Sequence, residues 1–168
     1  STHSALNNIW NDTYGPINEC NRLLADGGFD AAGQAQLKTA RAFMFWRLMD
    51  SFGRIKLNTT PGVDAPQSTR IEAFNFIEAE LLAAIPNLPD GRQEYGRVSK
   101  SGAWALLTRL YLNAEVYTGI PRYADAIIMA DNVINSGAYS LTDNFGDVFA
   151  PDNVDDPEHI WILPFDES

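Results

Sequence analysis

Cysteine is almost absent from this chain of 168 residues, which has a single one, Cys20. One cysteine cannot close a disulfide within the chain, and Cys20 has no cysteine or histidine near it at metal-ligand spacing. We expect Cys20 to be a small buried apolar residue of a helix. The sequence therefore predicts no metal site.

Histidine is nearly as scarce, with only two residues, His3 and His159. His3 lies beside the first residue of the chain. His159 follows Glu158 directly, but no serine or cysteine nucleophile accompanies it in a known catalytic signature. The sequence predicts no catalytic residue.

Positive charge is in short supply, because 12 Lys and Arg residues face 22 Asp and Glu residues and the formal net charge is -10. Such a protein repels a phosphate backbone or an anionic membrane surface on average, so nucleic acid is not an expected partner. The stretches GGFDAAG and GRIKLNTT lack the glycine spacing of a phosphate-binding loop. No nucleotide or other cofactor is predicted.

Long apolar runs are missing as well. No stretch approaches the roughly 20 apolar residues that span a bilayer, and the chain does not open with a basic stretch followed by an apolar one. Two interpretations stay open: the protein is cytosolic, or a targeting segment lies outside this sequence.

Hydrophobic residues are plentiful, at 45% of the chain with nine Phe, six Tyr and four Trp, which is a globular composition. The spacing of apolar residues predicts a mainly α-helical fold of five helices. After the last helix we expect long loops, a turn around Phe145 to Phe149, and one short C-terminal β-strand, His159 to Leu163. The predicted helices run from about Ala5 to Ala25, Asp30 to Phe52, Thr69 to Ile85, Ser99 to Gly119, and Tyr123 to Ile134.

The fourth helix lies in the stretch GRVSKSGAWALLTRLYLNAEVYTG, residues 96–119. Its apolar residues cover more than one face, which is typical of an inner member of a helical stack. With the next helix it partly matches a tetratricopeptide repeat, in which small residues let two helices approach closely. The matching residues are Ala114 and Tyr117 in the first helix, with Leu110 in place of the usual Trp, and Tyr123, Ala126, Ala130 and Val133 in the second.

Carboxylates gather in the segment TDNFGDVFAPDNVDDPEHIW, residues 142–161. They could bind calcium, but the EF-hand pattern is absent, so a solvated acidic loop is the better interpretation. Two of them could also serve a glycosidase, although the sequence offers no means of choosing a pair. The acids of this segment are Asp143, Asp147, Asp152, Asp155, Asp156 and Glu158.

Aromatic residues divide by position. Most lie in predicted helices, where burial is the expected role. Tyr95 lies in a loop and is freer to meet a ligand. The helical set comprises Trp10, Tyr14, Trp46, Trp104, Tyr111 and Tyr117.

Three segments, in order along the chain, resemble the SusD-like (RagB-like) family. ARAFMFWRLMDSFGRIKL, residues 40–57, is similar to the family's second helix, which ends in Phe-Gly and an extended segment. Residues 96–119 resemble the family's segment of Gly-Arg, Lys, Ala, Leu-Leu, Arg and Tyr-Leu. YADAIIMADNVINSGAYSLTDNFGDVFAPDN, followed by EHIWILPF, resembles its next helix, Gly-Tyr-x-Leu turn, Phe and strand.

The resemblance implies a lipid-anchored protein on the surface of the Gram-negative outer membrane that binds oligosaccharides, polysaccharides or other nutrients. Such a protein caps a TonB-dependent SusC-like transporter and passes ligand into it without breaking covalent bonds, so it is not an enzyme. The implied core is a set of tetratricopeptide-like helical hairpins.

Family members are considerably longer and begin with a lipoprotein signal whose cysteine becomes the anchor. The sequence INEC, residues 17–20, which ends in Cys20, lacks the small residues of that signal, so we do not expect Cys20 to be the anchor. We expect residues 1–168 to form a single SusD-like helical domain, the N-terminal part of a longer protein. The resemblance maps no glycan-binding residue onto this chain, because the family's ligand contacts come mainly from outside these helices.

Two other hypotheses remain. One is a free-standing tetratricopeptide-like scaffold that binds a peptide in a concave groove. The other, less favoured, is a glycosidase fragment that uses acids such as Asp147 or Glu158.

Overall fold

The computed structural model of the chain describes residues 4–151 and 153–164, so His3 and Asp152 lie outside the described residues. Within those ranges the fold is helical, with one small β-ladder. None of the described helices combines the length and the apolar character that crossing a bilayer requires. The α-helices are α1 (Ser4–Asp26), α2 (Ala31–Phe52), α3 (Arg70–Ala84), α4 (Lys100–Leu112), α5 (Ala114–Thr118) and α6 (Tyr123–Asn135).

The starts of three helices follow from capping side chains. Asp30 accepts a hydrogen bond from the Gly33 amide at 2.7 Å and caps α2. Thr69 and Glu72 form a reciprocal capping box at the start of α3, and Ser99 caps α4. Each cap supplies an acceptor to an amide of the first turn that has no partner in the helix. The predicted mainly α fold is confirmed, and the predicted ends lie close to the observed ones.

The predicted fourth helix is broken into α4 and α5 at Asn113, so one predicted helix is two. Asn113 leaves the helical region at φ -98° and ψ 8°. Its side-chain amide donates to the Arg109 carbonyl at 3.0 Å, which its own backbone amide also approaches at 3.3 Å. Asparagine competes in this way for helical carbonyls, which explains the interruption.

The strand predicted at His159 to Leu163 is wrong: these residues are in no strand, and the described part of the chain holds no neighbour paired with them. Their β-branched and aromatic side chains pack on helices instead, with the Trp161 ring 5.3 Å from that of Phe43. Strand propensity reports side-chain packing as much as backbone pairing. The observed ladder, β1 (Ile55–Lys56) antiparallel to β2 (Gln67–Ser68), is too short for sequence periodicity to reveal.

The most extensive helix–helix packing joins α1 to α2, α2 to α3, and α4 to α6, in the tetratricopeptide-like pairing expected. One core runs through all of them. Leu107 and Leu110 of α4 are fully buried, as are Phe45 of α2 and Ile77 of α3. The prediction that α4 is an inner helix is confirmed, and Cys20 is buried in α1 as expected.

A buried polar network ties the first three helices together. The Arg41 guanidinium (α2) pairs with both carboxylate oxygens of Glu80 (α3) and donates to Asn21 Oδ1 (α1) at 2.6 Å. Asn21 Nδ2 donates to the Asn58 carbonyl at 2.7 Å, which fixes the loop after β1. Burial raises the pKa of Glu80, and the bonds from Arg41 oppose that rise. The network sets the spacing of three helices and one loop at once.

Two buried tyrosines join the hairpins. The Tyr117 hydroxyl donates to Asp50 Oδ1 at 2.7 Å, and the Tyr111 hydroxyl donates to Glu78 Oε1 at 2.8 Å. Burial, and secondarily the bond to Asp50, raises the pKa of Tyr117 to about 12. Burial and the Glu78 carboxylate likewise raise the pKa of Tyr111. Both phenols therefore remain neutral donors across the physiological range.

Candidate functional site

The loop before α4 presents Tyr95 to solvent. A turn closed by the Arg97 amide on the Glu94 carbonyl at 2.9 Å places Tyr95 at its tip, with 51% of the residue exposed. Gly96 has φ 80°, a conformation that favours glycine. A Cβ there would come within 2.8 Å of the Pro164 ring, so only glycine permits the close approach of the far segment. The expectation that Tyr95 is accessible is confirmed.

Residues 157–164 form the opposite wall and cross the first turn of α4. A Cβ on Gly102 would meet Val98 Cγ2 at 2.7 Å and Trp161 Cβ at 3.4 Å, so glycine makes room for the crossing. The Tyr139 hydroxyl lies 3.3 Å from Ser99 Oγ and donates to the Ile160 carbonyl at 3.4 Å. The wall is thus packed on helices rather than paired in a sheet.

Arg92 joins the two walls. Its Nη1 donates to the Asp155 carbonyl at 3.2 Å and its Nη2 to the Asp156 carbonyl at 3.0 Å. Asp156 is buried and accepts from the Thr142 hydroxyl at 3.0 Å and from the Glu158 amide at 2.9 Å. A residue of the first loop therefore holds the last segment through main-chain carbonyls, and Asp156 fixes the fold of that segment.

Between these walls lies a concave groove, here named the Tyr95 cleft, with a volume of about 290 Å³. That volume is at the lower end of the range for small-molecule sites. Its lining includes an aromatic residue that is exposed to solvent and charged residues of both signs. The side chains that matter for its chemistry are Arg92, Glu94, Tyr95, Arg97, Asp155 and His159.

The acids of the predicted solvated loop serve mainly as turn formers where the structure describes them. Asp147 Oδ1 accepts from the Asn144 amide group at 2.9 Å, and Glu158 Oε1 accepts from the Thr142 amide at 2.9 Å. Of the members of this set that the structure describes, only Asp155 lines the Tyr95 cleft. No cluster of three or more potential metal ligands occurs in residues 4–151 and 153–164.

His159 lines the cleft, and its Nδ1 atom is buried. Within the described part of the chain this atom has no hydrogen-bond partner, and neither does the buried Nε1 of Trp161. A histidine that activates a side-chain nucleophile needs that nucleophile within hydrogen-bond reach. Among the described residues no hydroxyl or thiol is bonded to the His159 ring.

A second groove of about 280 Å³ lies on the other side of the 157–164 segment, between Phe43, Arg109 and Glu158. The Phe43 and Trp161 rings that line it are half-buried and pack on each other. The Tyr95 cleft is therefore the stronger candidate for a ligand.

Comparison with known proteins shows which proteins the chain is similar to. No family model matches it. The starch-binding protein SusD of Bacteroides thetaiotaomicron is 36% identical over 122 residues, which are 71% of this chain and 22% of that protein. A solved laminarin-binding SusD-like protein has a TM-score of 0.80 and 27% identity over 92% of this chain and 36% of its own.

The chain belongs to the SusD-like family. A third relative, surface glycan-binding protein A from Bacteroides uniformis, has a TM-score of 0.77 and 25% identity over 91% of this chain and 37% of its own. The resemblance of the three sequence segments is thereby confirmed. This SusD-like chain spans between about a fifth and two fifths of the length of these relatives.

Sequence reasoning singled out Tyr95 and His159 of this SusD-like chain separately and missed that they share one cleft. It also missed Arg92 and Arg97. No sequence signal links Arg92 to Asp156, since they are 64 positions apart and meet through a main-chain carbonyl. The Gly-Arg pair at Gly96 and Arg97 was noted only as part of the family pattern.

Proposed function

We propose that residues 1–168 are a single SusD-like helical domain, the N-terminal part of a longer, lipid-anchored glycan-binding protein at the outer-membrane surface. That protein works with a TonB-dependent SusC-like transporter in the uptake of oligosaccharides or polysaccharides and breaks no covalent bond itself. The observation that carries the proposal is the 36% identity to a protein named for starch binding. Solved neighbours named for laminarin and surface-glycan binding support it.

The proposal is tested on the longer protein together with this chain. Calorimetry with maltoheptaose, laminarihexaose and a set of other oligosaccharides measures binding by both, and product analysis measures hydrolysis. We expect clear binding by the longer protein, weak or no binding by the 168-residue chain, and no hydrolysis by either. Absence of any glycan binding by the longer protein refutes the proposal.

The transporter part of the proposal needs a separate measurement. A tagged form of the longer protein is expressed in its own cells, and the proteins that copurify with it from detergent-solubilised outer membranes are identified. We expect a SusC-like transporter in a stable complex. Recovery of the protein free of any outer-membrane transporter contradicts this part and leaves the glycan-binding part standing.

A protein-interaction scaffold is the second candidate, and one observation favours it. Helix α6 turns isoleucines to solvent, including Ile127, Ile128 and Ile134, the last of which is 72% exposed. Exposed apolar groups on a helix are typical of surfaces that another protein covers. Binding of an unstructured peptide by the chain, without any transporter or glycan, would favour this candidate over the first.

A further inference from the structure

The Tyr95 cleft has an aromatic ring that is not otherwise engaged. Tyr95 and Tyr123 are about equally exposed, at 51% and 50%. The Tyr123 hydroxyl donates to Glu115 Oε2 at 2.7 Å on the surface of α5. Within residues 4–151 and 153–164, the Tyr95 hydroxyl has no such partner. Tyr95 lines a concave groove, and about half of the residue is open to solvent.

The charges of the cleft balance. Arg92 and Arg97 line it together with Glu94 and Asp155. Within the described parts of the chain, none of these four groups forms an ion pair. The guanidiniums are donors only and the carboxylates are acceptors only. The rim therefore offers both kinds of hydrogen-bonding group at no net charge.

This balance selects among ligand classes. An anionic ligand would meet two carboxylates on a protein whose formal net charge is -10, and a cation would meet two guanidiniums. Neighbouring sugar hydroxyls both donate and accept, so they match a rim that has acceptors beside donors. The flat apolar face of a pyranose ring matches the face of a tyrosine, which has an apolar body and a polar tip.

We propose that the Tyr95 cleft is a subsite for one sugar unit of a neutral oligosaccharide. Tyr95 stacks on the sugar ring, Arg97 donates to hydroxyls, and Glu94 and Asp155 accept from them. The inference rests on the proposed glycan-binding function and names the place and the charge class of the ligand. A volume of about 290 Å³ accommodates a short piece of a chain rather than a long one.

The walls of the subsite are held before any ligand arrives. Arg92 bridges them, Asp156 is fixed by Thr142, and Trp161 packs against Phe43. A preorganised site loses less conformational entropy on binding. Since the contact area is small, we expect weak affinity from this chain alone, with Kd in about the millimolar range.

The test uses nuclear magnetic resonance on the 168-residue chain with maltoheptaose and laminarihexaose as neutral probes and a galacturonate oligomer as the anionic probe. The matched variants are Tyr95→Ala in the cleft and Tyr123→Ala at a tyrosine of equal exposure outside it. We expect a neutral probe to shift amides near 92–97 and 155–162. We expect Tyr95→Ala to raise Kd about three- to tenfold, while Tyr123→Ala leaves Kd unchanged.

Each other outcome overturns the subsite. It is wrong if no neutral probe perturbs the cleft, if only the galacturonate binds, or if Tyr95→Ala and Tyr123→Ala have equal effects. Parallel titration of the longer protein separates this inference from the proposed function. Tight glycan binding by the longer protein that Tyr95→Ala does not alter overturns the subsite alone. Absence of glycan binding by the longer protein overturns both.

Discussion

Removal of the Arg41 side chain is the sharpest test of what holds the helices together. In Arg41→Met, the Glu80 carboxylate stays buried, at 9% exposure of the residue, with its counter-charge gone. Breaking one side of a buried ion pair costs about 3 to 5 kcal/mol of unfolding free energy. Asn21 Oδ1, also buried, loses its donor at the same time. We therefore expect a loss of at least about 3 kcal/mol.

The double variant Arg41→Met, Glu80→Met separates the charge from the packing. With both charged groups replaced by apolar ones of similar size, the buried carboxylate is gone, and only the unpaired Asn21 oxygen remains as a buried defect. An unsatisfied buried acceptor costs about 1 to 3 kcal/mol. We therefore expect the double variant to be more stable than Arg41→Met, with a coupling energy of about 2 kcal/mol or more.

Urea unfolding at several pH values measures both effects. Burial raises the pKa of Glu80, and without Arg41 only the smaller attraction of the Lys38 charge opposes that rise. A carboxyl whose folded pKa is raised contributes most below its unfolded pKa, about 4.3, and loses that contribution as pH rises. The deficit of Arg41→Met should thus shrink between pH 7 and about pH 4. A loss under about 1 kcal/mol in Arg41→Met would refute the reasoning. So would a double variant whose loss equals the sum of the losses in Arg41→Met and Glu80→Met.

Three other predictions concern the core, a tyrosine and a glycine. Leu107→Ala should lower the unfolding free energy by about 2 to 5 kcal/mol, measured by thermal or urea unfolding, because Leu107 is fully buried. Leu112→Ala, at a residue that is 58% exposed, should lower it by under about 0.5 kcal/mol. Equal losses would mean that Leu107 is not part of the core. The pKa of Tyr117 is about 12. The stabilisation from its neutral phenol is present below pH 10 and is lost as pH rises toward 12. The unfolding free energy of Tyr117→Phe should therefore fall less between about pH 10 and 12 than that of the unsubstituted chain. The same pH dependence in both proteins would contradict this. Gly102→Ala should lower the unfolding midpoint although alanine is the better helix former, because the added Cβ would meet Val98 and Trp161. A stabilising Gly102→Ala would mean that the 157–164 segment does not cross there.

The helices of this chain were predictable because apolar spacing and local caps act over a few residues. Asp30, Thr69 and Ser99 each satisfy amides of their own first turn, so the sequence marks those starts. The break at Asn113 depends on a side chain competing for one carbonyl, which periodicity does not report. Propensity alone also suggested the strand at 159–163, because it carries no information on whether a partner strand is present.

The candidate site was less predictable, because its parts are distant in the sequence. Tyr95 could be singled out as a loop aromatic. Its neighbours in the cleft come from residues about 60 positions later, joined by Arg92 to two main-chain carbonyls. The ion pair of Arg41 with Glu80 spans 39 positions in the same way. Such contacts form when the helices pack. A single sequence indicates which residues are buried but not which of them contact one another.

The proposed sugar subsite lies outside the packed core that this chain shares with its relatives. Relatives named for starch, laminarin and surface glycans share the fold with it, and the two solved ones do so at TM-scores of 0.80 and 0.77. A helical core that serves several glycans cannot itself select one, so selection must come from side chains at the surface. In this chain the aromatics of α1 to α5 are buried or half-buried, while Tyr95 is half exposed beside charges that form no ion pair within the described residues. On the proposed glycan-binding function, substitutions of Glu94, Tyr95 or Arg97 should therefore alter which sugar binds without altering the unfolding midpoint, and substitutions along α4 should do the reverse.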